Sequence, residues 1–192
     1  MTKKEKIIKY ALKEFAEKGF LAASTNTISK ASKVSKGAIF YHFKNKENLY
    51  IECFKKIQGE YEKEFLKFYS KNTHLDFFEF LIKWSYKKIE IAKEKPEYLQ
   101  FFKTVESIPE SLKEKIFKLN QEIYSKYIPY FSEKFEKLEL KENMDRNFSF
   151  KITFEILEYF SKKYYYEFES NLEKIMEEIE KVINIIKFGI LK

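Results

Sequence analysis

The chain has 192 residues, enough for one large core or two small ones, and its 44% hydrophobic and 35% charged residues with only four Gly and three Pro describe a compact helical protein. No apolar run reaches about 18 residues and no leader-like apolar segment stands out, so a membrane span and a secretory signal are not expected and the cytoplasm is. The net charge of +7 lies wholly in residues 1–50, where eleven Lys face four Glu, while the rest balances 25 Lys and Arg146 against 26 acids. A basic segment on a neutral body suits phosphates, because each one neutralised releases counterions. From charge alone, a solvated basic surface or a helix lying on an anionic membrane fits as well.

Ile7, Ile8, Ala11, Leu12, Phe15 and Ala16 recur at three-to-four spacing between Lys3 and Lys18, which predicts an amphipathic helix. Gly19 follows as its stop, a residue free to take a left-handed conformation. Ser24 can cap a short second helix whose inner face is Ile28 and Ala31, and Ser35 a third through Ile39, Phe40 and Phe43. Asn45 is placed to cap a long fourth helix carrying Leu49, Phe54, Ile57, Tyr61, Phe65 and Phe68, so the boundary between head and body falls beside or inside a helix. Asp76 to Lys95 forms the next helix, ending before Pro96. Pro109 suits a helix start, and Pro129 predicts a kink or break between Tyr127 and Phe131.

From Phe148 to Phe168 apolar residues cover two faces, Phe150, Phe154 and Leu157 on one and Phe148, Ile152, Ile156 and Tyr159 on the other, so burial from both sides is expected. The last stretch, with Leu172, Ile175, Met176, Ile179, Val182, Ile183 and Ile186, is amphipathic. Surplus apolar surface on two neighbouring helices implies a homodimer interface, for which Ile152, Ile156, Tyr159, Ile179, Ile183 and Ile186 are the candidates. No strand pattern of period two appears, and the expected fold is all-α with about nine or ten helices: a helix-turn-helix head over residues 1–48 and a helical body over 49–192.

One run of residues carries more than periodicity: Ala11-Leu12-x-x-Phe15-x-x-x-Gly19-Phe20, then Ile28, then Val34-Ser35-Lys36-Gly37-x-Ile39-Phe40-Tyr41-His42-Phe43-Lys44-Asn45-Lys46-Glu47-x-Leu49. It resembles the TetR family of transcriptional regulators over roughly the first 50 residues. The resemblance implies three N-terminal helices that read DNA, a ligand-binding body and dimerisation through the last two helices. It also implies base contacts from Asn26, Lys36 and Gly37 and phosphate contacts from Thr25, Tyr41, His42 and Lys46, with Ala38 and Phe40 on the same DNA-facing helix. The chemistry agrees: Lys36 can donate to guanine O6 and N7, Asn26 can pair with adenine, Gly37 lets the backbone approach, and Lys46 adds charge at a helix start. Ile28, Ile39 and Phe43 can pack on Phe15 and fix the reading helix. Lys33 stands where the family often has Gly, and Ser29 and Ser32 where it prefers Ala; if the turn needs a positive φ, Lys33 costs about 1 kcal/mol.

In the family the body encloses a ligand pocket. Trp84, Phe102, Phe117, Tyr124, Tyr127 and Phe154 are the candidate lining residues, though aromatic residues at helical spacing are more often core. Their rings and few charges favour a small apolar or aromatic ligand over a phosphorylated metabolite. Neither G-x-S-x-G, H-E-x-x-H, a Walker loop nor G-x-G-x-x-G occurs, so no enzyme is expected. Cys53 is the only cysteine and suits a core position, and with His42 and His74 it makes too few ligands for a metal site; no cofactor is expected. The reading is a repressor that leaves a palindromic DNA operator on binding its ligand, with no membrane partner. The alternative is a helical dimeric scaffold whose basic head meets an acidic partner or a membrane surface.

Overall fold

The computed structural model describes residues 1–167 and 172–192, and side chains other than those of residues 161–172. Phe168 and the side chain of Leu172, both part of the expected C-terminal pattern, therefore lie outside the described residues. Nine α-helices are seen among them: α1 (Lys3–Ala22), α2 (Thr25–Ser32), α3 (Lys36–Phe43), α4 (Lys46–Lys71), α5 (Phe77–Glu94), α6 (Pro96–Thr104), α7 (Glu110–Phe135), α8 (Arg146–Glu167) and α9 (Leu172–Ile190), with a 3-10 turn at Val105–Ser107. None of the described helices is long and apolar enough to cross a membrane.

The expected caps are in place. Ser24 Oγ accepts from Asn26 N at 3.2 Å, Ser35 Oγ from Ala38 N at 3.3 Å and Asn45 Oδ1 from Asn48 N at 2.8 Å. Gly19 has φ +71° and ψ 171°, a positive-φ conformation that favours glycine but whose ψ is not that of a left-handed helix, so the chain is redirected there and resumes a short turn to Ala22. Pro129 lies inside α7 without breaking it. Both Pro129 and Ser125, the residue four positions earlier whose carbonyl receives no amide from it, are exposed.

Two compact units form: residues 1–64 with 92–123, and residues 65–91 with 124–192. In the first, Phe15 (0% exposed) is the hub, with ring centroids 5.1 Å from Tyr50, 6.1 Å from Phe20 and 6.4 Å from Phe101. Ile28, Ile39 and Phe43 are buried in the same unit. A 48-residue head has little core of its own, and α6 covers α1: Phe101 stacks on Tyr50 at 4.5 Å, and the Tyr50 hydroxyl meets Thr104 Oγ1 at 2.8 Å. The packing units thus do not coincide with the expected division at residue 48.

The second unit is built on rings. Phe65 touches Trp84, Tyr127 and Phe131, and Phe77 touches Phe135. Ile183, Ile186 and Ile190 of α9 close the same core. Lys134 is buried, and its ammonium donates to the carbonyls of Leu75 (2.7 Å), Thr73 (3.0 Å) and Asn72 (3.4 Å), holding the loop before α5.

Candidate nucleic-acid interface

α2 and α3 are each eight residues long and joined by a turn at Lys33 to Ser35. Lys33 adopts φ 54° and ψ 37°, the left-handed conformation anticipated where the family often has Gly. The two serines that replace alanine tie this turn: Ser29 Oγ donates to Val34 O at 2.7 Å, and Ser32 Oγ to Ser29 O at 3.3 Å. A second strained residue, Lys44 at φ 67°, ends α3. Beneath the motif, Glu14 (6% exposed) accepts from Ser24 N at 3.1 Å and from Lys18 Nζ at 3.0 Å, so one buried carboxylate anchors the start of α2 to α1.

With Ile39 and Phe43 turned inward, α3 presents Lys36, Gly37, Phe40 and Tyr41 outward in steps of four. Tyr41 is 74% exposed and Phe40 42%, large apolar area left uncovered on a short helix. His42 is exposed and edge-on to Tyr41 at 5.3 Å. On α2, Asn26 is exposed and Thr25 half-buried, while on α3 Ala38 is half-buried. A Cβ placed on Gly37 would meet nothing within 4 Å, and its φ is not positive. The fold itself therefore does not require glycine there.

Lys46 behaves differently from the expectation. Its ammonium donates to Leu21 O (3.1 Å) and Ala23 O (3.2 Å) and sits 4.7 Å from the Phe20 ring centroid, so it caps the end of α1. Lys30 and Lys44, which were not singled out from the sequence, are exposed beside the same face as Lys33, and none of the three has a carboxylate partner among the described residues. The signal was present, since residues 18–46 contain six Lys and no acid. An uncompensated positive surface over an exposed short helix can take up phosphates on both sides of a groove while the helix face meets base edges.

The match to the model of bacterial regulatory proteins of the tetR family spans residues 7–53, which are α1, α2, α3 and the first two turns of α4. Residues 7–53 are thus similar to the N-terminal domain of the tetR family. It is similar to the negative transcriptional regulator IcaR of the biofilm operon icaADBC in Staphylococcus epidermidis, 26% identical over 67% of this chain and 69% of that protein. It is also similar to the transcriptional regulator QacR of Staphylococcus aureus, 41% identical over 35% of this chain and 38% of that protein. The fold extends beyond the head: the transcriptional regulator FadR of Bacillus subtilis, in complex with stearoyl-CoA, superposes with a TM-score of 0.72 at 18% identity over 95% of this chain and 96% of its own. The relatives named here are transcription regulators. Among the described residues no cluster of three His, Cys, Asp or Glu could hold a metal ion.

The expected pocket residues divide between the units. Phe102 is in the first unit, half-buried against Phe54 and Tyr61, and Phe117 is 62% exposed on an open recess shared with Glu110, Lys113 and Glu114. Phe117 is therefore a surface ring, carried there because the inward positions of α7 at this level are Leu112 and Ile116. Trp84, Tyr127 and Phe154 belong to the ring core of the second unit, and Tyr124, also in that unit, is half exposed.

For the dimer face, the structure moves the register on α9. Ile183 (0%) and Ile186 (8%) are packed in the chain's own core and are not available to a second copy, whereas Ile185 and Phe188, both 73% exposed, point away from it. Ile156 and Ile179 pack partly on the core as well, Ile152 is half-buried, and Tyr159 is 70% exposed with Phe148 (64%) on the same helix. The sequence pattern on α9 is apolar on more than one face, and periodicity alone does not say which face the chain keeps for itself.

Proposed function

We propose that the chain is a dimeric, sequence-specific repressor that binds a palindromic operator through α2 and α3 and is released by a small hydrophobic ligand. The observation that carries this reading is the outward stripe Lys36, Gly37, Phe40 and Tyr41 on a capped two-turn helix set in a segment free of acids. In it, Lys36 and Asn26 read base edges, Phe40 and Ala38 meet thymine methyls, and Thr25, Tyr41, His42 and the flanking lysines contact phosphates. Lys46 acts indirectly, by holding the end of α1 against α4.

A second copy supplies the other half-site, about 34 Å away or a multiple of it. Phe148 and Tyr159 on α8 and Ile185 and Phe188 on α9 are the apolar surface that such a copy would cover. The ring-rich second unit supports an apolar ligand, which acts by favouring one spacing of the heads over another by a few kcal/mol.

The test is titration of a duplex obtained by selection, at about 50 and 200 mM salt. Two chains per duplex and a steep salt dependence are expected, with Lys36→Ala relaxing preference at one symmetric pair of positions. Salt-sensitive binding to anionic vesicles with equal affinity for all duplexes would support the scaffold reading instead.

A further inference from the structure

Among the described residues other than glycine, only two have positive φ, and both are lysines at the two ends of α3. Lys33, three residues before Lys36, has φ 54° and ψ 37°. It closes α2 in a turn where Val34 N donates to Ser29 O at 3.2 Å and Ser29 Oγ donates to Val34 O at 2.7 Å. Lys44, directly after Phe43, has φ 67° and ψ −47°. Asn45 N donates across it to Phe43 O at 2.8 Å, which makes Lys44 the middle residue of a γ-turn of the rare, strained hand. Glycine suits both conformations, and any side chain on either lowers stability. Strain of this kind persists only where the surroundings hold it, and it clusters where a function needs it.

The fold makes no use of a long cationic side chain at either position. Both residues are exposed, and neither has a carboxylate partner or a side-chain hydrogen bond among the described residues. Lys44 Nζ lies 5.6 Å from the ring centroid of Tyr41, which is 74% exposed on the outward stripe of α3. The two lysines bracket that stripe. A helix of eight residues is about 12 Å long, close to the width of a B-DNA major groove, so cations at its two ends stand near the phosphates of the two groove walls. Lys46, by contrast, commits its ammonium to the carbonyls of Leu21 and Ala23.

We propose that Lys33 and Lys44 are the phosphate anchors of α3, kept on strained backbone because those positions carry a cation to each wall of the groove. The chain gives up folding stability for DNA affinity there. Phosphates are alike at every base pair, so these residues set affinity and docking and leave sequence preference to Lys36 and Asn26. The inference rests on the DNA-binding reading above and names the residues that hold the reading helix in place.

Lys33→Gly, Lys44→Gly and Lys33→Arg are compared with wild type, and with Lys13→Ala, which removes an exposed head lysine of α1 that faces Glu17 at 3.9 Å. Each is titrated with the selected duplex at about 50 and 200 mM salt. In each glycine variant the urea midpoint should rise. The slope of log K against log salt should flatten by about 1.8 for a dimer that loses one contact per chain, so the deficit against wild type is roughly ten-fold larger at the lower salt. Sequence preference should be unchanged, and Lys33→Arg and Lys13→Ala should keep the wild-type slope. A wild-type slope in either glycine variant, an equal flattening in Lys13→Ala, or a changed sequence preference in the glycine variants overturns the proposal. If wild type enriches no sequence, the repressor reading fails, while the slopes on a random duplex still test the anchors; no duplex binding at all overturns both.

Discussion

On α5, Lys88 stands in line with the buried Leu81, Trp84 and Ile91 and has no ion-pair partner among the described residues, so replacing it by Met, a side chain of similar length, should make the protein more stable. The pKa of the lysine falls from 10.5 to about 8 on folding. At about 1.4 kcal/mol per tenfold change in the proton equilibrium, the charged form costs roughly 3 kcal/mol. The folded pKa is depressed, so the folded state binds fewer protons than the unfolded one between pH 8 and 10.5, and the cost is complete below pH 8 and disappears as pH rises through that window. Lys88→Met should therefore exceed wild type by up to about 3 kcal/mol at pH 7, about 2 at pH 9 and about 1 at pH 10. Burial raises the Cys53 thiol and the Tyr61 hydroxyl, but both groups are present in both proteins and cancel in the difference. Urea unfolding followed by circular dichroism at the three pH values measures it, with Lys87→Met as a control that should change by less than about 0.5 kcal/mol. A variant no more stable than wild type at pH 7, or a difference independent of pH, would show that the ammonium finds a partner or reaches water.

Gly37→Ala should stabilise the fold by about 0.5 to 1 kcal/mol, because a helical glycine with open space around it loses only its own flexibility; the same change should weaken duplex binding if the backbone approaches DNA there. Thermal melting and duplex titration on one preparation separate the two effects. Lys33→Gly should stabilise by about 1 kcal/mol by relieving the left-handed residue between α2 and α3, as read from urea midpoints. The pair Ile185→Lys and Phe188→Glu should convert a dimer to a folded monomer in light scattering, whereas Ile183→Glu should unfold the chain, since Ile183 is wholly buried.

The head was legible because its constraints are local. Ser24, Ser35 and Asn45 cap where their side chains reach the next free amides, and Ile28, Ile39 and Phe43 repeat at helical spacing. Lys46 was misplaced because its partners, the carbonyls of Leu21 and Ala23, are more than twenty residues away in the chain. The role of α6 in covering α1 was invisible for the same reason: Phe101 reaches Phe15 and Tyr50 only through the tertiary path. The body showed its helices but not their faces, since Ile183 and Ile185 are equally apolar and only packing decides which is core. Lys88 could have been found, as a single charge interrupting the stripe of Phe77, Leu81, Trp84 and Ile91.

The most direct test is selection of random duplexes by the purified protein, repeated with Lys36→Ala. Enrichment of a short palindrome by wild type, with altered or lost preference in the variant, is the predicted result. A protein that enriches no sequence and binds all duplexes alike would contradict the assignment of α3 as a reader of DNA.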